Sequence, residues 1–318
     1  MKILIAIIIC NCNLIFGNIP ESSEHTYFLS VCSIFKDEAP YLKEWIEYHK
    51  LVGVQHFRLY NNDSTDNFLE VLEPYIKSGE VTVVDWPGVN SYWCYTIQGP
   101  AMLNAITHLK EVSKWLAIID IDEFILPTEA PDLVSFLKDY EPFAAVVVNW
   151  LNYGTSWVKD LPSDQLMIEV LTLRAEEQTH WNSQVKSIVR PEFVDTKRQA
   201  WTPHLWYYLP GKIAVAPNKQ EFVWGPIDVS KIRINHYVHR SEYYLFNCKV
   251  AKKSRMEKTW PPPQSFIDDW HCSCNRVEDK AIFRFVPALR EIITEKASTA
   301  SSKHDMKYND TRHSCSES

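Results

Sequence analysis

Trp115-Leu116-Ala117-Ile118-Ile119-Asp120-Ile121-Asp122-Glu123-Phe124 is the stretch on which the fold turns. Its apolar opening predicts a buried strand over Trp115–Ile119, and an acidic run follows at once. In an extended backbone residues i and i+2 point the same way, so Asp120 and Asp122 are expected to share one direction at the strand's carboxyl tip. Hard oxygen ligands so placed suit Mg2+ or Mn2+, ions that keep positions open for water and diphosphate oxygens.

Upstream of this stretch, strand and helix patterns alternate. Leu29–Phe35 reads as a strand, and Pro40–Val52 as a helix opened by proline, with Leu42, Trp45, Ile46, His49 and Val52 at helical spacing before Gly53. Val54–Tyr60 and Val81–Trp86 are further strands, with helices over Phe68–Ile76 and Pro100–Leu109. Such alternation predicts an α/β protein with a doubly wound sheet flanked by helices, its ligand crevice beyond the carboxyl ends of the strands. The loops there are polar: Lys36-Asp37-Glu38, then Asn61 to Asp66, then Asp85-Trp86, then Asp120 to Glu123. A single polar loop is what turns and helix caps require anyway, but four meeting at one edge point to a site.

Composition limits the function classes. The 318 residues carry 33 basic and 40 acidic side chains, a net charge of -7, which disfavours a broad grip on nucleic-acid phosphates. Hydrophobic residues make up 46%, enough for a sizeable core, while 8 Gly and 18 Pro exclude a collagen-like or low-complexity body. The 12 Trp, 15 Tyr and 14 Phe suit flat amphipathic ligands such as sugars or bases.

Cys32-Ser33-Ile34-Phe35-Lys36-Asp37-Glu38-Ala39-Pro40-Tyr41-Leu42-Lys43-Glu44-Trp45-Ile46-Glu47-Tyr48-His49, then His56 to Asn67, resembles the family 92 glycosyltransferases. The resemblance continues through Asp120 to Phe124, Lys186 to Pro191 and Ile232 to Tyr237, roughly residues 28 to 290. It implies a GT-A fold and an inverting, metal-dependent hexosyl transfer from a UDP-sugar, galactose favoured, to a glycan hydroxyl, with Mn2+ the usual ion. On this basis Phe35, Lys36, Asp37, Glu38, Asn61, Asn62, Asp63, Asp85 and Gln98 would meet the nucleotide. Related transferases often carry an acidic pair where Asn61 and Asn62 stand; Asn still offers a donor and an acceptor. Asp120 and Asp122 would bind metal and diphosphate, His236 would be a late metal ligand or else a buried structural histidine, and Lys186 and Arg190 would neutralise the departing diphosphate.

Residues 139 to 258 form a less regular acceptor half, with a strand signal at Val146-Val147-Val148, helical composition over Ser241–Lys258, and a further helix over Ala281–Lys296 in a segment from 259 to 296. Inverting transfer needs a carboxylate base, and Glu169, Glu176, Glu177, Asp160 and Asp164 are all eligible, with Glu177 and Glu176 first because of the polar run beside His180 and Trp181. Trp150, Trp157, Trp181 and Trp201 are available to stack on acceptor sugars, or to serve as core or rim.

Residues 1–19 read as a cleaved signal or a short membrane anchor, since Asn11 and Asn13 interrupt the apolar run; residues 297–318 read as a disordered tail. A leader on a UDP-sugar enzyme points to membrane association or the secretory pathway, Golgi-type in a eukaryote. Of the 8 cysteines, six remain once Cys10 and Cys12 leave with a leader, and His271-Cys272-Ser273-Cys274 reads as disulfide or free thiols ahead of zinc, for want of a second pair. Asn62 and Asn309 head glycosylation sequons. Two other classes share the acidic cluster: a metal-dependent phosphohydrolase, and an inactive glycan-binding module on the same fold.

Overall fold

The structure, a computed structural model, describes residues 25–88, 94–198, 202–250 and 263–294. The expected alternation is present as β1 (Tyr27–Phe35), α1 (Ala39–Leu51), β2 (His56–Asn61), α2 (Phe68–Lys77), β3 (Val81–Asp85), α3 (Gly99–Leu109) and β4 (Ser113–Ile118). There follow β5 (Glu123–Pro127), α4 (Leu133–Lys138), β6 (Ala145–Asn152), β7 (Leu173–Arg174), β8 (Val185–Val189), β9 (Ala214–Val215), β10 (Ile232–His236) and β11 (Val277–Glu278).

The main sheet has the order β3-β2-β1-β4-β8-β6-β10-β5, with β9 beside β6. β1, β2, β3 and β4 are mutually parallel neighbours, while β8 runs antiparallel to β4 and β6, and β5 antiparallel to β10. The sheet is therefore the expected doubly wound mixed sheet, and it is continuous across residues 138 and 139, so the two expected halves share it. One face buries Leu42, Trp45, Leu72 and Phe124 under α1 and α2; the other buries Ile118 under Met102 and Ile106 of α3. The chain winds from β1 to β2 and β3 in one direction and begins β4 on the other side. The switch point thus falls between β1 and β4, with the segments after these two strands beside it.

Three later elements differ from the sequence reading. Of the helix expected over Ser241–Lys258, Tyr244–Lys249 is a π-helical turn and residues 251–262 lie outside the described residues. The last expected helix opens as a 3-10 turn at Ala281–Phe285 and is α-helical from 286 to 294. A helix not foreseen, Gln264–Ser273, follows Pro263, whose fixed φ suits a helix start. The leader, the tail, Trp201 and Asn309 lie outside the described residues. Among those described, no helix is long and apolar enough to cross a membrane.

Candidate active site

β4 ends at Ile118, and residues 119 to 122 turn out of the sheet before β5 re-enters it at the opposite edge. Three side chains of α1 hold that re-entry in place. Trp45 Nε1 donates to the Glu123 carbonyl at 2.8 Å, Tyr48 Oη donates to the Ile125 carbonyl at 3.0 Å, and the Ile125 amide donates to His49 Nε2 at 3.4 Å. The antiparallel register then sets His236 directly opposite Glu123, and the Tyr237 amide donates to the Asp122 carbonyl at 2.8 Å.

Because the chain turns after Ile118, Asp120 and Asp122 do not share one strand tip, and their carboxylates go to different partners. Asp120 accepts from Lys186 Nζ at 2.7 Å and from Gln98 Nε2 at 3.0 Å. Asp122 has His236 Nε2 at 3.6 Å and Lys249 Nζ at 3.7 Å. Among the described residues, the group able to hold a cation is Asp122, Glu123 and His236, whose ligand atoms lie within 4.8 Å of one another; Asp120 is outside it. Two carboxylates and an imidazole fit Mn2+ or Mg2+. The fit is supported by orphaned atoms, since Glu123 Oε1 and His236 Nδ1 are buried without hydrogen-bond partners.

The electrostatics suit cation capture. Burial works against ionisation of Asp122, but His236, Lys249 and Arg240 outweigh it and hold the carboxyl far below its usual range. Burial depresses the His236 imidazole, with the Asp122 carboxylate pulling the other way. Burial pushes Glu123 well above the ordinary carboxyl range, with Lys186, 3.6 Å away, opposing it. Lys186 itself stays charged although buried, because Asp120 and Glu123 outweigh its desolvation.

The polar loops expected to meet a nucleotide do gather at one edge, and they are braced against each other. Asp37, at φ 56°, accepts from the Thr65 amide at 2.7 Å, and its own amide donates to Ser64 Oγ at 3.0 Å. Asn61 Nδ2 donates to Asp85 at 3.0 Å, and Asp63 accepts from the Gly88 amide at 3.2 Å. Asn62 is buried, its amide donating to the Trp86 and Gly88 carbonyls at 2.9 Å each, so this sequon has no exposed side chain to glycosylate. Glu38 takes a bond from Arg240 Nη2 at 2.6 Å, with the guanidinium lying 3.7 Å over the Tyr41 ring, and Lys36 is half-buried in the same loop.

Several expected residues stand elsewhere. Phe35 is turned into the core against Phe68. Arg190 follows Val189, which pairs with Leu116 near the start of β4; because β8 is antiparallel, only Lys186 reaches the acidic end, and Arg190 pairs with Glu192 instead. Glu169 is held by Arg290 at 2.6 Å. Asn182 draws in the Glu176 and Glu177 carbonyls at 2.9 and 3.1 Å, leaving both carboxylates exposed. Glu177 lines a separate cavity with Arg233, which on β10 faces away from His236. None of the three preferred bases therefore faces the Asp122 cluster. Cys272 and Cys274 are free thiols, as are Cys32 and Cys248.

The sequence reading missed four residues. Glu123 had a signal, being next to Asp122 in the same acidic run. Lys249, Arg240 and Trp270 had none, because only the fold brings Arg240, Lys249 and the helix Gln264–Ser273 near β10. Trp270 joins Trp150, Trp181, His180, Asn152 and His236 around a cavity of about 330 Å³ beside the cluster.

A mixed α/β sheet with braced polar loops and a carboxylate–histidine cluster beyond its strand ends places a ligand crevice at that edge. The model of glycosyltransferase family 92 matches residues 25–268, and the chain belongs to that family. A family 92 protein of Ricinus communis is 28% identical over 188 residues, covering 55% of this chain and 31% of its own. The galactan beta-1,4-galactosyltransferase GALS2 of Arabidopsis thaliana is 26% identical over 137 residues, covering 42% of this chain and 26% of its own. The chain thus spans about three tenths of the length of these relatives. Among solved structures, S. aureus TarS 1-349 is similar at a TM-score of 0.40 and 12% identity, over 77% of this chain and 70% of that one.

Proposed function

We propose that the chain transfers a hexose, galactose favoured, from a UDP-sugar to a glycan hydroxyl by a metal-dependent, inverting displacement. The observation that carries this is the Asp122, Glu123 and His236 cluster set beside the braced loops at the switch point, in a member of family 92. The name of the galactan beta-1,4-galactosyltransferase relative favours galactose as the sugar.

The loops of Asp37, Asn61 and Asp85 would take the uridine and ribose, since amides and carboxylates pair with the base edge and with ribose hydroxyls. Asp122, Glu123 and His236 would hold Mn2+ or Mg2+, which when bound supplies charge neutralisation at the departing diphosphate. Arg240 adds fixed positive charge near Asp122, and Lys186 compensates Asp120 and Glu123, so the protein keeps the cluster from carrying excess negative charge before a donor arrives. One displacement by the acceptor hydroxyl at C1 inverts the anomeric centre. With a leader, such an enzyme would work in the secretory pathway, where nucleotide sugars are imported. Incubating the full chain with radiolabelled UDP-galactose, Mn2+ and a β-1,4-galactan primer tests the reading: label in the polymer supports it. Absence of label from every UDP-hexose and acceptor pair tried, by folded protein, contradicts it.

A further inference from the structure

We propose that the cavity bounded by Trp150, Trp181 and Trp270 is the subsite for a neutral hexopyranose ring of the acceptor glycan. The proposal rests on the transferase reading above and adds the residues that take the second substrate.

Position, chemistry and size argue together. The cavity opens on β6, β10 and the segment leading into β8, on the far side of β4 from the nucleotide-edge loops of β1, β2 and β3, and His236 forms part of its wall. A hydroxyl held there lies beside the Asp122 cluster. Among the described residues its lining contains no Asp, Glu, Lys or Arg, which suits an uncharged ligand rather than a phosphate or a nucleotide. Trp181 and Trp270 are stacked with centroids 5.7 Å apart, and Trp150 lies 4.2 Å from the His236 ring. Indole faces pack against the C–H faces of pyranose rings.

Polar groups complete the site. The Trp150 indole N–H is buried without an acceptor among the described residues, and Ser183 and Gln184 bring a hydroxyl and an amide to the lining. Asn152 serves the wall itself, its amide bonding to the Trp181 carbonyl and to Asn182 Oδ1. The volume of about 330 Å³ is at the small end of the roughly 300–1,000 Å³ typical of ligand sites, room for one ring rather than a chain. The helix Gln264–Ser273 supplies Trp270, so the wall depends on an element far from the metal-capable cluster in sequence.

The test is a saturation-transfer NMR and calorimetric titration of the full chain with β-1,4-linked galactotetraose, with and without UDP and Mn2+. Trp270→Leu and Trp181→Leu are expected to weaken tetraose binding about tenfold each, and Trp270→Phe to recover part of the loss. Affinity for UDP-galactose should change less than about twofold, the margin a distant stacking pair allows. Wild-type protein that binds no tetraose, variants that bind it unchanged, or a parallel fall in UDP-galactose affinity would each overturn the assignment, the last by giving the cavity to the donor sugar. Loss of UDP binding in the wild type contradicts the transferase reading instead, and the titration without UDP reads the cavity independently of it.

Discussion

The loops at the tips of β1, β2 and β3 and the wall built by β6, β10 and the segment leading into β8 use their polar groups in opposite ways. In the first region the polar side chains bind one another or nearby backbone: Asp37 to Thr65, Asn61 to Asp85, Asn62 to two carbonyls, and Asp66 to the Ala39 amide at 2.7 Å, capping α1 from another loop. In the second region and on β5 beside it, several such groups are buried without partners, namely His236 Nδ1, the Trp150 N–H and Glu123 Oε1; in the loops Asp66 Oδ1 is one such atom. Unpaired buried polar groups cost on the order of 1–3 kcal/mol each, so bringing Glu123, His236 and Trp150 into one neighbourhood is a cost that the braced loops mostly avoid.

The largest expected effect is at the cluster. Asp122→Ala should lower transferase rate at least about a hundredfold and weaken Mn2+ binding, measured by electron paramagnetic resonance of the free ion; it also strips the carboxylate from Lys249 and His236, so some stability goes with it. Lys186→Met removes the cation that compensates Asp120 and buried Glu123, and should cost about 3 kcal/mol of stability by denaturant titration. Mn2+ binding unchanged in Asp122→Ala would break the distinction between a compensating pair and a ligating cluster.

His49 adds a pH signature to the α1–β5 clamp. Burial lowers its folded pKa to about 3, below the ordinary value of 6.5, because the imidazolium is desolvated. The folded state thus binds fewer protons than the unfolded chain between those values. The contribution is complete above pH 6.5 and is lost as the pH falls toward 3. Glu44, pushed up to about 7 by burial, has the opposite sign: its contribution is complete below pH 4.5 and is lost as the pH rises through about 7. Comparing melting curves of wild type and His49→Gln isolates the first slope, which should flatten in the variant. The smallest effect is expected in the braced loops: Asn62→Ala strips hydrogen bonds from the Trp86 and Gly88 carbonyls and should cost about 1–2 kcal/mol, with a modest rise in KM for UDP-sugar.

The same division governs what the sequence made legible. β1 to β4 and their helices were readable because local periodicity sets each element and parallel winding sets their order. Asp122 and His236 were readable from the acidic run and the Ile232 to Tyr237 motif. The separation of Asp120 from Asp122 was not, since it depends on the chain leaving the sheet after Ile118, held by hydrogen bonds from Trp45 and Tyr48 seventy-odd residues away. The misplacement of Arg190 and Glu177 has a similar cause. Strand direction is a long-range fact, and the local pull of Asn182 on the Glu176 and Glu177 carbonyls is a matter of side-chain orientation; composition alone carries neither.

The central claim is that Asp122, Glu123 and His236 bind a divalent ion and, with the braced loops, a uridine diphosphate. Calorimetric titration of the full chain with UDP, in the presence and absence of Mn2+, tests it most directly. The account predicts binding that strengthens with Mn2+ in the wild type and in Asn62→Ala, and loses that metal dependence in His236→Ala. UDP affinity indifferent to Mn2+, or a metal requirement unchanged by His236→Ala, would contradict it.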